Sequence, residues 1–180
     1  MSFDANTLWE NFKQSFKMTV KSYPIPTLEQ SWVSKAERSK FYFESLLPKI
    51  SELLELEFRT ERPFRIDAIF FKRGSQTTDI PVIYIESENN IKSSNEEIYK
   101  LCCISAPLKI LFVCNSWTEK QKDEIVNGYW QYIIEDFAEA KLLSGNICIL
   151  IAEWDDNLKF YSYCFNSSGF LFEEEVLISI

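Results

Sequence analysis

The chain contains no histidine. That absence removes Ser-His and Cys-His nucleophile pairs and every histidine-ligated metal site. Any acid–base chemistry must come from carboxylates, lysine, tyrosine or a metal-bound water. Glycine is scarce, with 4 in 180 residues, which argues against long flexible linkers and glycine-rich phosphate loops. No run approaches the roughly 18 apolar residues of a membrane span. The segment Met1-Ser2-Phe3-Asp4 has no basic stretch leading into an apolar one, so no secretory signal is expected. The five cysteines are odd in number and lie in apolar context, and adjacent Cys102-Cys103 has neither zinc nor redox-motif spacing. They are expected to be buried reduced thiols of a cytoplasmic protein.

What is present is apolar and aromatic, at 46% and 16% of residues, enough for a substantial core. A single domain over residues 1–180 is expected. The net charge of −8 is unevenly spread: residues 1–60 and 61–120 each carry eight basic and eight acidic side chains, and residues 121–180 carry three and eleven. The first two thirds can therefore present a local basic face. The acidic last third suits a solvated surface or a basic protein partner.

Apolar spacing predicts a helix over residues 4–21, with Leu8, Trp9, Phe12, Phe16 and Val20 on one face and Asp4 as N-cap. Pro24 and Pro26 interrupt it. A long helix then runs to about Leu47, and Pro48 kinks or splits it before apolar spacing continues to about Glu57. Strands are predicted over residues 64–72 and 81–88, joined by a polar turn. Ser93-Ser94-Asn95-Glu96-Glu97 offers capping boxes for a helix that ends before Pro107. Lys109–Cys114 reads as a strand of the buried parallel type. Another helix extends to about Leu143, and residues 147–154 and 158–165 form a hairpin around Asp155-Asp156-Asn157. Phe170–Ile180 supplies a last strand.

The chemistry concentrates on two of these strands. One carries Asp67 and the next carries Glu86 and Glu88. Residues two apart on a strand share a face, so Glu86 and Glu88 point the same way, and Asp67 on the neighbouring strand completes a three-carboxylate group. Such a group repels itself without a cation and suits a hard ion such as Mg²⁺ or Mn²⁺. Each acid also has a plainer reading. Asp67 can pair with Arg62 or Arg65, Glu88 can sit in a solvated turn beside Asn89-Asn90, and Lys100 can pair with Glu96 one helical turn earlier.

The order of helix, strands, helix and strand, with an acid on one strand and Glu-x-Glu on the next, resembles the PD-(D/E)XK, or restriction-endonuclease-like, nuclease superfamily. The resemblance covers roughly residues 30–116. It implies an α/β fold with a mixed central sheet flanked by helices. Residues 1–26 would be an N-terminal helix and linker, 27–116 a nuclease-like core, and 117–180 a helix and β-hairpin completing the sheet. It also implies Asp67, Glu86 and Glu88 as metal ligands, and hydrolysis of nucleic-acid phosphodiesters. The usual lysine position holds Glu88, and Lys100 would be a lysine moved to the following helix. Glu44 loosely matches a helical glutamate that assists the metal in some members. The alternative is a protein of that fold which has lost chemistry and acts as a binding or regulatory subunit.

Overall fold

In the computed structural model, residues 3–62, 65–76 and 78–180 are described, with nothing said of the side chains of Glu61 and Arg62. Phe64, placed at the head of a strand by the sequence, lies outside them.

Among the described residues, seven strands form one sheet in chain order: β1 (Glu57–Arg62), β2 (Ile66–Arg73), β3 (Asp79–Glu88), β4 (Leu108–Cys114), β5 (Asn146–Trp154), β6 (Leu158–Phe165) and β7 (Leu171–Ser179). β3, β4 and β5 are parallel. β1 and β2 extend them antiparallel on one side, and β6 and β7 do so on the other. Parallel neighbours need crossover connections, here made by helices. The β3–β4 crossover is α5 (Ser94–Cys103). The β4–β5 crossover is α6 (Glu119–Gln121), a π-helical stretch (Lys122–Trp130) and α7 (Gln131–Glu139). On the other face lie α1 (Ala5–Ser22), α2 (Ile25–Trp32), α3 (Lys35–Lys40), a π-helical turn (Phe41–Leu46) and α4 (Leu47–Leu53). The fold is thus a mixed α/β architecture with helices on both faces.

Strand alternation builds two cores. Ala68, Phe70, Ile83, Ile85, Ile110 and Phe112 meet Trp9, Phe12, Phe16 and Leu46 on the α1–α4 face. Ile69, Phe71, Tyr84, Leu111 and Val113 meet Ile98, Leu101, Trp130 and Ile134 on the α5–α7 face. The N-terminal helix begins as read, with the Asp4 carboxylate accepting from Thr7 N at 2.8 Å. The long second helix does not form. It breaks at Val33–Ser34, where the Ser34 side chain caps α3, and it carries a π turn before Pro48. Pro48 follows that π turn at the start of α4, and the helical run continues through it to Leu53.

The acids of β7 are largely engaged within the molecule. Glu173 accepts from Trp9 Nε1 at 2.8 Å and pairs with Lys13, Glu175 pairs with Lys13 and Lys17, and Glu174 pairs with Lys122. Cys148 and Cys164 face each other across β5 and β6 and are joined in a disulfide, correcting the expectation of five reduced thiols. Cys102, Cys103 and Cys114 are free. No described helix is long and apolar enough to cross a membrane.

Lys109, at the head of the central strand, is fully buried, and its Nζ has no hydrogen-bond partner among the described residues. Burial lowers its pKa to about 8. Replacement by an apolar side chain of similar length removes that cost, so Lys109→Met is expected to raise stability at pH 7 by about 1–3 kcal/mol in urea unfolding. Because the folded protein releases this proton before the unfolded chain does, native stability rises between pH about 8 and 10.5, and the advantage of the methionine shrinks across that window. An unchanged or lowered urea midpoint at pH 7 would contradict the assignment.

Candidate functional site

The site forms where β2 and β3 approach the flank of α5. Ala68 pairs with Ile85, one step from Asp67 and Glu86. Asp67, Glu86 and Glu88 lie on the same sheet face as Ile69, Phe71 and Tyr84, the face that α5 covers. α5 is fixed by its buried stripe of Ile98, Leu101 and Cys102 and by Trp130 Nε1, which donates to Ser94 Oγ at 2.8 Å. The first turn of the preceding 3-10 segment (Ile91–Ser93) is capped by Asn90, whose side chain accepts from Lys92 N. These anchors set Glu97 and Lys100, three residues apart and so on one helical face, above the end of β3.

Lys100 Nζ donates to Glu86 Oε1 at 2.7 Å and pairs with Glu97 Oε2 at 2.5 Å, while the Arg65 carbonyl lies 3.4 Å away. It does not pair with Glu96, its expected helical neighbour. Asp67 Oδ2 accepts from Ser87 N at 2.9 Å, an interaction that fixes the aspartate against the edge of β3. Glu88 departs from the expected trio: its Oε1 accepts from Asn90 N at 2.7 Å. Among the described residues, no three His, Cys, Asp or Glu side chains form a group able to hold a metal. Glu44 is exposed on the π turn, across the sheet from Asp67 and Glu86. Glu97, within the cluster, was not singled out by sequence. Its three-residue spacing from Lys100 was the available signal.

Glu86 is 2% exposed. Burial raises its pKa to about 8. The Lys100 hydrogen bond opposes that shift, and the charges of Asp67 and Glu97 add to it. Burial also works against the charged form of Lys100, but its hydrogen bonds to Glu86 and Glu97 prevail and hold its pKa above the ordinary lysine value. Arg65, the residue where the chain enters β2, has a φ of 58°. For a side chain with a Cβ this is a strained conformation, of a kind that concentrates at functional sites.

No family model matches this chain, and no curated protein matches it. Among solved structures, a mutant of the Nesterenkonia AN1 amidase, from the nitrilase superfamily, is similar over 98% of this chain and 81% of that one, at 8% sequence identity and a TM-score of 0.43. A likeness this low carries no argument about fold or activity. The resemblance to the PD-(D/E)XK superfamily is corrected on other grounds. No family model supports the short motif, Glu88 turns to Asn90 N, and no three-acid group able to hold a metal assembles among the described residues. The motif is two acids on adjacent strands plus spacing, a pattern that an unrelated sheet can carry.

The Glu86 environment has a thermodynamic signature. Its folded pKa lies above the unfolded one, so the folded state holds a proton that the unfolded chain has released. The native protein therefore loses stability as pH rises from about 4.5 to about 8. Glu86→Gln lacks this titration. Chemical unfolding at pH 5 and at pH 8.5 is expected to show the variant gaining on the native protein at the higher pH. A difference independent of pH would contradict the buried titration.

Proposed function

We propose that Asp67, Glu86 and Lys100 form the reactive centre of a hydrolase that cleaves nucleic-acid phosphodiesters with Mg²⁺ or Mn²⁺. The observation that carries this reading is the buried Glu86–Lys100 pair with the Asp67 charge beside it. Magnesium is commonly held by one or two protein carboxylates together with substrate phosphates, rather than by an all-protein cage. Asp67 and Glu86 fit that role. Each commits one oxygen to a protein donor and, among the described residues, leaves the other without a hydrogen bond. When bound, the ion would lower the pKa of a water and offset charge on the phosphate. Lys100 suits stabilisation of charge developing on a phosphate or leaving oxygen. Glu97 holds Lys100 in place from the same helix.

A second reading is a protein without chemistry that binds or regulates a partner. It is favoured by the pairing of Lys100 with both Glu86 and Glu97, which already places a cation among the acids. On this reading a basic partner would dock away from β7, whose acids are held by Lys13, Lys17 and Lys122.

Calorimetric titration with Mn²⁺, with and without a mixed set of single- and double-stranded oligonucleotides, separates the two. The hydrolase reading expects saturable binding weakened at least about tenfold, or about 1.4 kcal/mol, in both Asp67→Asn and Glu86→Ala. It also expects metal-dependent cleavage lost in Lys100→Ala. Absence of both binding and cleavage when metal and nucleic acid are supplied together would favour the second reading.

A further inference from the structure

A separate feature lies on the opposite face, at the carboxyl ends of β4 and β5. Here a cleft of about 450 Å³, within the range of small-molecule sites, is bordered by Trp32, Arg38, Cys114, Asn115, Ser116 and Trp154. Its floor is fixed. Asn115 N donates to Ala152 O at 3.1 Å, Asn115 Nδ2 to Ser116 O at 2.8 Å, and Trp117 N to Glu153 Oε1 at 2.6 Å.

Arg38 is the unusual component. It is only 8% exposed, yet among the described residues no carboxylate lies within ion-pair distance of it. Its Nε and Nη2 both donate to one neutral acceptor, Asn89 Oδ1, and its Nη1 has no hydrogen bond among the described residues. Buried cations without an anionic partner are costly, and guanidinium geometry matches carboxylate and phosphate oxygens. A neighbouring donor is also unused: the Tyr42 hydroxyl is buried without a hydrogen-bond partner among the described residues and feels the charge of Arg38. The Trp32 indole N–H is turned to the Cys114 thiol. The acid among the lining residues, Glu29, is exposed. The rings of Trp32 and Trp154, 5.6 Å apart, supply an apolar wall.

We propose that this cleft binds a small organic oxyanion, a carboxylate or phosphate carried on an apolar ring, with Arg38 holding the anionic end and Trp32 and Trp154 the ring. The site is preformed, donor-rich and distinct from the Glu86 cluster across the sheet.

The test is tryptophan fluorescence and calorimetric titration of the full chain with phenyl phosphate, benzoate and neutral benzyl alcohol. At least one of the two anions is expected to bind saturably below about 1 mM, with the alcohol at least about tenfold weaker. Binding of phenyl phosphate alone assigns the ligand as a phosphate, and binding of benzoate alone as a carboxylate. Ser116→Asp, an exposed position, places a competing carboxylate at the cleft and is expected to weaken binding at least about tenfold with thermal unfolding unchanged. Arg38→Gln is expected to abolish binding. Asp67→Asn, on the other face, is expected to leave it intact. Saturable binding by neither anion, equal binding of the alcohol, or unchanged affinity in Ser116→Asp would overturn the proposal.

Discussion

Everything in this molecule is arranged around β4. The strand has parallel partners on both edges, and the seven residues Leu108–Cys114 are buried apart from the half-buried Cys114. A strand of this kind must be covered on both faces, and two helical layers meet that demand. One layer is the crossover helices. The other is the N-terminal helical run, which reaches β7 through Trp9 and Lys13. The antiparallel wings then extend the sheet without needing further crossovers.

The same constraint produces the chemistry. β3 runs beside β4, so the alternation that buries Tyr84 also buries Glu86 two residues on. An acid in that position is costly unless it is protonated or paired. Both remedies are visible: its pKa rises to about 8, and Lys100 reaches down from α5 to bond it. Asp67 cannot retreat, because Ser87 N holds it at the strand edge. The cluster is therefore a consequence of sheet geometry acting on two acids. The hydrolase reading assigns that consequence a use. On the reverse face, the same sheet end carries Arg38 against Asn89, one residue beyond β3.

Much of the fold was legible in the sequence because it depends on local pattern. The apolar run Lys109–Cys114, the 3.6-residue spacing of α1 and the turn at Asp155-Asp156-Asn157 each announce an element within a few residues. The shared face of Glu86 and Glu88 follows from strand periodicity alone, and Asp67 joins it through the register of β2 on β3. What depends on distant contacts was not legible. The break at Val33–Ser34 has only a local mark, the Ser34-x-x-Glu37 spacing of a helix cap inside a longer apolar pattern. Nothing in the sequence marks the π turns, the pairing of Cys148 with Cys164 across β5 and β6, or the rotation of the Glu88 carboxylate onto Asn90 N. Arg38 and Asn89 are 51 residues apart, and no periodicity connects them. The family resemblance failed for a related reason. It rested on element order and a short acidic motif, and both arise wherever a parallel strand pair carries acids near its ends.

The most direct measurement is a carbon-13 NMR titration of the Glu86 side-chain carboxyl, in the native protein and in Asp67→Asn. Burial beside a second carboxylate predicts a midpoint near 8 in the native protein, moving down when the aspartate charge is removed. A midpoint in the ordinary glutamate range, unmoved by Asp67→Asn, would mean that the two acids do not form a coupled site.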